Sequence, residues 1–532
     1  MAVAFAVVVP FFFLGIPSGH DFEFHVHSWM EVLGQWKAGI LYPRWAALAH
    51  YGHGEPRFVF YPPFSWMLGA ILGAVLPWKL VSGAYIWLAL TFSGCSMFAL
   101  ARRWLDRRDA IFAAALYAAN PYYILIVYWR SAFAELLAGA LLPLLLLYVF
   151  RLEEEQARTI VPLSLVLAGA WLTNAPAAVM VNYSVVLLAV VLALLKRTPR
   201  ILFIALIASA LGATLAAFYV FPAAYEQRWV NIAQVLSPGV HPSSNFLFTV
   251  ISDPLHNAFN RLVSVIAASE IIVLVIALFV ARAWRQTRRT AFWMLIVWAS
   301  AATLLMFSFT VIFWEHLPKL RFVQLPWRWL LCLNVAFALF VTIAWRRWWL
   351  RLAICLIMLA ALAFGWHRLQ KPWWDTAKDV AIMLQQHQSA GYEGTDEYVP
   401  INADNYEINP HARRATFDGP GTAHIYVKQW DAQAKLVTAQ VSSSGELVTK
   451  LFNYPAWKVE VNGRAVSADT REVTGQMMVP LQAGTNDIRI TFTRTWDRTL
   501  GGVISLVAVV LMLVVLLWRP MWHLINMRSR AL

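Results

Sequence analysis

The chain has 532 residues, of which 60% are hydrophobic and only 14% are charged, and its mean hydropathy is +0.57. A water-soluble protein of this length could not bury so much apolar surface, and many apolar runs approach the ~20 residues that cross a bilayer. The net charge of +14 comes from Lys and Arg clusters between these runs. That distribution is typical of a polytopic membrane protein and speaks against nucleic acid as a partner.

The apolar runs predict a polytopic α-helical protein with about twelve transmembrane helices. The N-terminal run has no basic n-region and no A-x-A cleavage site, so it predicts a retained helix rather than a removed signal peptide. A further apolar segment, 61–79, would reverse every later loop if it crossed, so we expect it to re-enter or to lie at the outer surface. The predicted spans are 2–18, 80–101, 110–127, 134–150, 160–173, 178–195, 201–219, 263–281, 291–312, 328–345, 350–366 and 501–518.

Short basic segments alternate with longer segments rich in His, Pro, Asn and acids. The basic segments are 102–109, 151–158, 196–200, 281–289, 346–351 and the tail with Arg519, Arg528 and Arg530. By the positive-inside rule we expect them in the cytoplasm, together with both termini, in the plasma (inner) membrane. The outward segments are then 19–63, 120–133, 173–177, 220–262, 313–327 and 367–500.

The segment 367–500 changes from a helical pattern to alternating apolar and polar residues. Stretches such as "WKVEVNGRAVSA" and "TNDIRITFTR" alternate around Gly and Asn-Gly turns, which are strand and hairpin signals. They predict a small antiparallel β-sandwich outside the cell. We therefore divide the chain into a transmembrane domain 1–366 with a functional first outer loop 19–63, the β-domain 367–500, and a last helix with a cytoplasmic tail, 501–532.

Under this topology, charged residues converge at the outer face, where they usually mark a pathway or a site. Arginine forks match phosphate oxygens, and a carboxylate can take a proton from an attacking hydroxyl. Acids beside arginines therefore suit transfer of a group from a phosphate leaving group, here carried by a lipid. The alternative for each single charge is a side chain that reaches from the interface to water.

The stretch "SGHDFEFHVHSW" places three histidines and two acids directly after the first apolar run. His20, His25 and His27 are weak metal candidates, because their spacing matches no compact metal motif and they would not share one face of a helix. Asp21 and Glu23 leave a divalent cation open as a cofactor. Cys95, Cys332 and Cys355 all lie in apolar runs, so we expect neither a disulfide framework nor a cysteine metal site.

The first outer loop, "HDFEFHVHSWMEVLGQWKAGILYPRW" followed by "YPPF", resembles the opening of polyprenyl-phosphate-sugar glycosyltransferases of the C-type membrane fold (GT-C), such as bacterial aminoarabinose and protein mannosyl transferases. The resemblance implies an essential acid after the first helix, and Asp21 falls there. The lysine that approaches the lipid phosphate in that family is Tyr61 here, so Arg57 or Arg130 would have to replace it.

The chain is more similar to bacterial membrane proteins called "6-pyruvoyl-tetrahydropterin synthase-related". Over about residues 1–400 it shares the pieces "HDFEFH", "YPPF", "RSAFAE", "FWEHLPKLRFVQLPWRW" and "GTDEYVP". Nothing here reproduces the α+β fold of the soluble zinc enzyme in that name. The remainder, "LFNYPAWKVEVNGRAV" with "VPLQAGTNDIRITF", resembles the outer β-domain of YfhO-like membrane proteins.

These resemblances imply a glycosyltransferase that moves a sugar from a polyprenyl-phosphate lipid to an envelope acceptor, which is a glycan, a lipid or a protein. Asp21 would remove the acceptor's proton, and Glu23 or Glu31 would orient it. Arg130, Arg321 and Arg328 would hold the phosphate, among the substrate-binding candidates Arg57, Tyr61, Arg130, Glu135, Glu315, Lys319, Arg321 and Arg328. The alternative is non-catalytic translocation or binding of a lipid-linked saccharide, although no internal repeat typical of transporters is evident.

Overall fold

The computed structural model describes the backbone of residues 1–401 and 403–528. Within them, eight helical segments are long and apolar enough to cross a membrane, or ten if each of two bent pairs is one span. A polytopic membrane protein is therefore confirmed, whereas the count of twelve spans is not. The eight are Trp78–Ala101, Arg107–Arg130, Phe133–Glu154, Ala175–Lys196, Pro254–Thr287, Pro326–Ala344, Trp348–Leu369 and Trp496–Val514, the last belonging to a helix that continues to Arg528.

The predicted spans 201–219 and 291–312 are not single helices, because the backbone breaks within each of them. The pair Arg200–Leu215 and Ala217–Trp229 bends by 73°, and the pair Arg289–Leu305 and Ser308–His316 bends by 96°. The helix Ile160–Thr173 has the predicted bounds, but its 14 residues are fewer than a full crossing requires. Of the predicted tail, Arg530 lies outside the described residues.

The N-terminal run is wrong as a single helix 2–18. It forms Ala2–Val8 and Phe11–Leu14, and Gly15 then adopts a positive φ of 98° that ends the helix. Ile16–Pro17 instead pairs antiparallel with Trp374–Asp375. The chain is thereby tied to a segment that follows the seventh long helix.

The segment 61–79 contains the helix Pro63–Val75, which has 13 residues. At 1.5 Å per residue it is ~20 Å long, too short for a ~30 Å hydrocarbon core. That length excludes a full crossing by this helix alone. Its re-entrant or surface placement stays a prediction.

The basic segments lie together at one end of the helical region. Arg103 pairs with Glu154, Lys196 Nζ lies 2.8 Å from Glu153, and Arg351 Nη2 lies 2.6 Å from Asp109. The rings of Trp104 and Trp284 are 6.0 Å apart, which brings the segment 281–289 to the same end. The described basic loops thus form one cluster, as a shared side of the membrane requires.

The C-terminal region forms two antiparallel sheets around one apolar cluster. Asn462 and Gly463 have positive φ and join two paired strands, so the Asn-Gly hairpin is confirmed. In spatial order, one sheet is Ala415–Asp418, Gly445–Phe452, Gln476–Leu481, Asp469–Thr470, and the other is Ala423–Trp430, Ala434–Val441, Gly484–Phe492, Trp457–Val461, Arg464–Val466. The strands of these two sheets begin only at Ala415, and the helix Ala377–Ser389 precedes them in the segment 367–500.

The β region packs on the first outer loop, whose main helix is Phe22–Lys37. Trp45 of that loop is fully buried, with its ring 5.4 Å from that of Trp457. At the other side, Arg498 in the last helix pairs with buried Glu226 at 2.6 Å. The first outer loop therefore lies between the helical region and the sheets.

Candidate functional site

A cavity of about 770 Å³ opens at the end of the helical region that carries the first outer loop. Its wall combines the N-terminus of the Phe22–Lys37 helix, the breaks near Arg130 and Arg328, and the segment 395–398. Another part of the wall is apolar and includes Trp171, Val179, Val220, Phe322 and Leu325. The cavity therefore combines a charged end with a surface suited to hydrocarbon.

Asp21 is held at the cavity by backbone contacts to the segment after Trp129. Its N–H donates to the Arg130 carbonyl at 2.9 Å, and the Gly19 N–H donates to Ser131 Oγ at 2.9 Å. A Cβ on Gly19 would lie 2.3 Å from the Trp129 carbonyl oxygen, so only glycine permits this approach. The Asp21 carboxylate is 40% exposed and lies 3.5 Å from Arg130 Nη2.

Arg130 is presented by an irregular helix end. The π-helix Ile126–Arg130 closes at Ser131, which is left-handed with φ 51°; such π segments are frequent at functional sites. Arg130 Nη1 then contacts Glu135 Oε2 at 2.5 Å. The guanidinium also lies 4.8 Å from the Trp327 ring centroid, which adds a cation–π contact.

Glu135 joins two arginines from different spans. It accepts hydrogen bonds from Arg130, from Arg328 Nε at 3.0 Å and from the Tyr122 hydroxyl at 2.5 Å. All four side chains are buried, so an unpaired charge here would be costly. Two cations face one buried anion, and the half-exposed Asp21 carboxylate supplies the second negative charge.

Arg328 lines the cavity and can donate a hydrogen bond to a ligand there. Its Nη1 donates to the Val323 carbonyl at 2.7 Å and to Gln324 Oε1 at 2.9 Å. Among the described residues, Nη2 has no hydrogen-bond partner. Gln324 has a strained φ of 65° and ψ of −57°, a γ-turn closed by Leu325 N–H to Val323 O at 2.7 Å. Strain of this kind concentrates at functional sites.

The structure brings together only part of the predicted site. Asp21, Tyr61, Arg130, Glu135, Lys319 and Arg328 line the cavity. Glu23, Arg57, Glu315 and Arg321 are not among its lining residues. Glu23 is partly exposed outside it, and burial together with Asp375 raises its pKa. Glu315 and Arg321 are exposed on the 311–323 segment.

Arg57 is sequestered, and its prediction as a phosphate ligand is corrected. It is fully buried, contacts Glu55 Oε1 at 2.5 Å, and donates to Ser28 Oγ at 3.0 Å. Burial alone would raise the pKa of Glu55, but Arg57 and His50 hold that pKa at about 2. Arg57 therefore serves a closed ion cluster with Glu55 and His50 rather than a ligand. Glu31 is likewise buried, accepting from Gln35 and from the N–H groups of Ala47 and Leu48.

Two of the three histidines, His20 and His25, line the cavity. The His20 ring lies 4.8 Å from that of Phe259. The His25 ring lies 5.0 Å from that of Phe133, and burial lowers the pKa of His25 to about 4. His27 points to the other side, with Nδ1 3.2 Å from Nδ1 of His387. Within the described part of the chain, no group of three or more His, Cys, Asp or Glu side chains is arranged to hold a metal ion.

Sequence reasoning missed Glu397, which lines the cavity beside Thr395 and Tyr398. Burial, reinforced by Glu55 and Asp396, raises the pKa of Glu397 to about 7. In the sequence, Glu397 is one of two adjacent acids in "GTDEYVP", within an otherwise polar segment. His256 and Asn245 also line the cavity without having been singled out.

Glu270 was missed as well, although it is a lone acid in the apolar run "ASEIIVL". It is fully buried in the span Pro254–Thr287. One oxygen accepts from the Tyr122 N–H at 3.2 Å and the other from Asn334 Nδ2 at 3.2 Å. The short helix Pro121–Leu125 begins at Pro121 and is capped by Asn120, so Glu270 satisfies a free N–H in the first turn of that helix.

Comparison with known proteins places the chain in a family. A family model described as "6-pyruvoyl-tetrahydropterin synthase related domain; membrane protein" matches residues 58–371. The chain belongs to this family. In this 6-pyruvoyl-tetrahydropterin synthase-related membrane protein, the matched range includes Arg130, Glu135 and Arg328 and precedes Glu397. No curated protein and no solved structure matches significantly. Similarity to the GT-C transferases and to YfhO-like proteins stays a prediction.

Proposed function

We propose that the protein is a membrane glycosyltransferase that moves a sugar from a polyprenyl-phosphate donor to the hydroxyl of an envelope acceptor at the outer face of the plasma membrane. A GT-C-like transmembrane domain and a YfhO-like extracytoplasmic β-sandwich are part of this proposal. Both termini are then cytoplasmic, where the clustered basic loops lie.

The observation that carries the proposal is the paired Arg130 and Arg328 beside Asp21 in a cavity with an apolar wall. Arg328 Nη2 and the exposed Lys319 can donate to phosphate oxygens. Asp21 is only loosely paired with Arg130 at 3.5 Å, so an anion can compete for that guanidinium. The apolar wall provides a place for the first isoprene units of the lipid.

The chemistry follows from this arrangement. The acceptor hydroxyl oxygen forms a bond to the anomeric carbon as the bond from that carbon to the phosphate oxygen breaks. The phosphate leaves with the electron pair, and Arg130 and Arg328 stabilise its charge. Asp21 takes the hydroxyl proton as general base. No nucleotide is required, because the lipid phosphate is itself the leaving group.

Translocation or binding of a lipid-linked saccharide is the second candidate. Glu270 favours it, because an acid buried within a span and without a cationic partner among the described residues often marks a transport or proton pathway. A transporter would move the intact lipid and release no free polyprenyl phosphate.

A turnover assay separates the two. The purified protein, in native lipids, is offered a panel of polyprenyl-phosphate sugars, and free polyprenyl phosphate is followed. We expect release by the wild type and a loss of ~10²-fold or more in Asp21→Asn. The matched control is Asp418→Asn, an exposed aspartate in the β region, which should retain full turnover. Equal release by the wild type and Asp21→Asn would remove Asp21 as the base, and no release with tightly bound intact donor would favour translocation.

A further inference from the structure

The segment 394–398, which enters the cavity from beyond the seventh long helix, is fixed by the first outer loop. Thr395 N–H donates to Glu55 Oε2 at 2.9 Å, and the same carboxylate is held by Arg57 at 2.5 Å and His50 at 2.9 Å. The side chains of Glu55, Arg57 and His50 are each at most 2% exposed. A buried, hydrogen-bonded ion cluster is costly to assemble unless it fixes a geometry.

Because Thr395 is anchored in this way, a side chain at the preceding position, Gly394, would clash with His50. A Cβ on Gly394 would lie 2.1 Å from His50 Nε2, so the segment can pass the imidazole only as glycine. The ring of Tyr398 then stacks on that of Phe60 at 5.5 Å with 17° between their planes. The ion cluster and this stack hold Glu397 and Tyr398 against the cavity.

The cavity consequently has a second polar region, made of Glu397, Tyr398 and Tyr61. In the described structure, neither tyrosine hydroxyl nor the Glu397 carboxyl has a side-chain hydrogen-bond partner. A carboxylate accepts from hydroxyls, and a phenol can both donate and accept. Their rings add apolar faces that suit the C–H surface of a sugar ring. Among the described residues, none of these three side chains is ion-paired with a cation, unlike Glu135 between Arg130 and Arg328.

We propose that Glu397, Tyr61 and Tyr398 form the acceptor subsite, which binds a polyhydroxylated, uncharged head group such as a saccharide. The identity of this ligand as the acceptor rests on the proposed function, whereas the binding itself does not. Glu397 accepts hydrogen bonds from two hydroxyls of the ligand, and the tyrosine hydroxyls bind its flanking oxygens. The raised pKa of Glu397, about 7, is consistent with a carboxyl shielded from bulk water.

The test measures protection of Glu397 from a water-soluble carbodiimide, which couples accessible carboxyl groups to an added amine. The full-length protein in lipid nanodiscs is labelled at pH 6.5 and analysed by peptide mass spectrometry, with each probe kept below the concentration at which it forms micelles. Glu393 and Glu407 are exposed and close in sequence, so they serve as internal controls. The probes are octyl β-D-glucoside, with a polyhydroxylated head group, and octanol, with the same chain and one hydroxyl.

We expect octyl β-D-glucoside to protect Glu397 but not Glu393 or Glu407, and octanol to protect none of them. Tyr61→Phe and Tyr398→Phe keep the rings and should each weaken protection by roughly 2- to 10-fold, the effect of one neutral hydrogen bond. Equal protection by both probes, no protection, or unchanged protection in both variants would overturn the subsite. Because no donor is present and no turnover is read, these outcomes are independent of the transferase assay.

Discussion

Gly19→Ala should dislodge Asp21 while leaving the rest of the first outer loop intact. The new Cβ would lie 2.3 Å from the Trp129 carbonyl oxygen and 2.6 Å from the Arg130 carbonyl carbon. Ordinary contact begins at 3.4 Å, and both neighbours are backbone, so the loop must move by about 1 Å. The shift breaks the hydrogen bonds from Gly19 N–H and Asp21 N–H, each worth about 1 kcal/mol.

We therefore expect Gly19→Ala to lower the free energy of unfolding by about 2 kcal/mol and turnover by ~10²-fold, because a displacement of this size misplaces the base. Thermal unfolding and release of polyprenyl phosphate measure the two effects. Gly34→Ala is the matched control: it lies in the Phe22–Lys37 helix, and its Cβ would meet nothing within 4 Å. That variant should keep full turnover and gain up to about 1 kcal/mol from helix propensity. Wild-type turnover in Gly19→Ala would refute the reasoning.

Three other variants follow from the same contacts. Arg328→Leu should weaken binding of polyprenyl phosphate by roughly 10- to 100-fold, as expected for lost charge-assisted hydrogen bonds, while exposed Arg321→Leu should not, and equal losses in a lipid-binding titration would contradict the site. Val473 is β-branched and has φ 66°, so Val473→Gly should raise the free energy of unfolding by about 1 kcal/mol; a lower melting temperature would count against it. Burial lowers the pKa of His27 to about 3 and of His387 to about 4, beside the positive charge of Arg57. Their contribution to stability is present above pH 6.5 and is lost as pH falls towards 4 and 3. The double variant His27→Phe/His387→Phe should therefore flatten the acid branch of a melting-temperature profile, and an unchanged branch would show that other groups cause it.

Much of the helical region follows from hydropathy, because a span must bury its backbone and expose apolar side chains. Ile160–Thr173 begins and ends as predicted, and the Asn-Gly turn at 462–463 was evident from residue type alone. Periodicity did not reveal the bends near Ala216 and Phe307, since apolar composition continues through both breaks. It also did not reveal that Ile16–Pro17 leaves the helix to pair with Trp374–Asp375, a contact set by distant chain.

Site residues could be predicted where residue type alone indicates the role. They could not be predicted where contacts with distant residues determine whether a side chain reaches the cavity. Asp21, Arg130 and Arg328 are charged residues at the mouths of spans, and the structure places them at one cavity. Arg57 is also a charged residue of an outer loop, but in the structure it forms a buried ion pair with Glu55, two residues away. Glu397 is an ordinary acid in a polar segment, and only its anchoring through Thr395 to Glu55 brings it to the cavity.

The most direct test of the account is an electron cryomicroscopy structure of the protein in nanodiscs with polyprenyl phosphate. The account predicts phosphate density within hydrogen-bond distance of Arg328 Nη2 and Arg130, with the isoprenoid chain along Trp171, Val179 and Val220. A phosphate held elsewhere, with Asp21 and Arg130 still paired and the cavity without lipid, would contradict it.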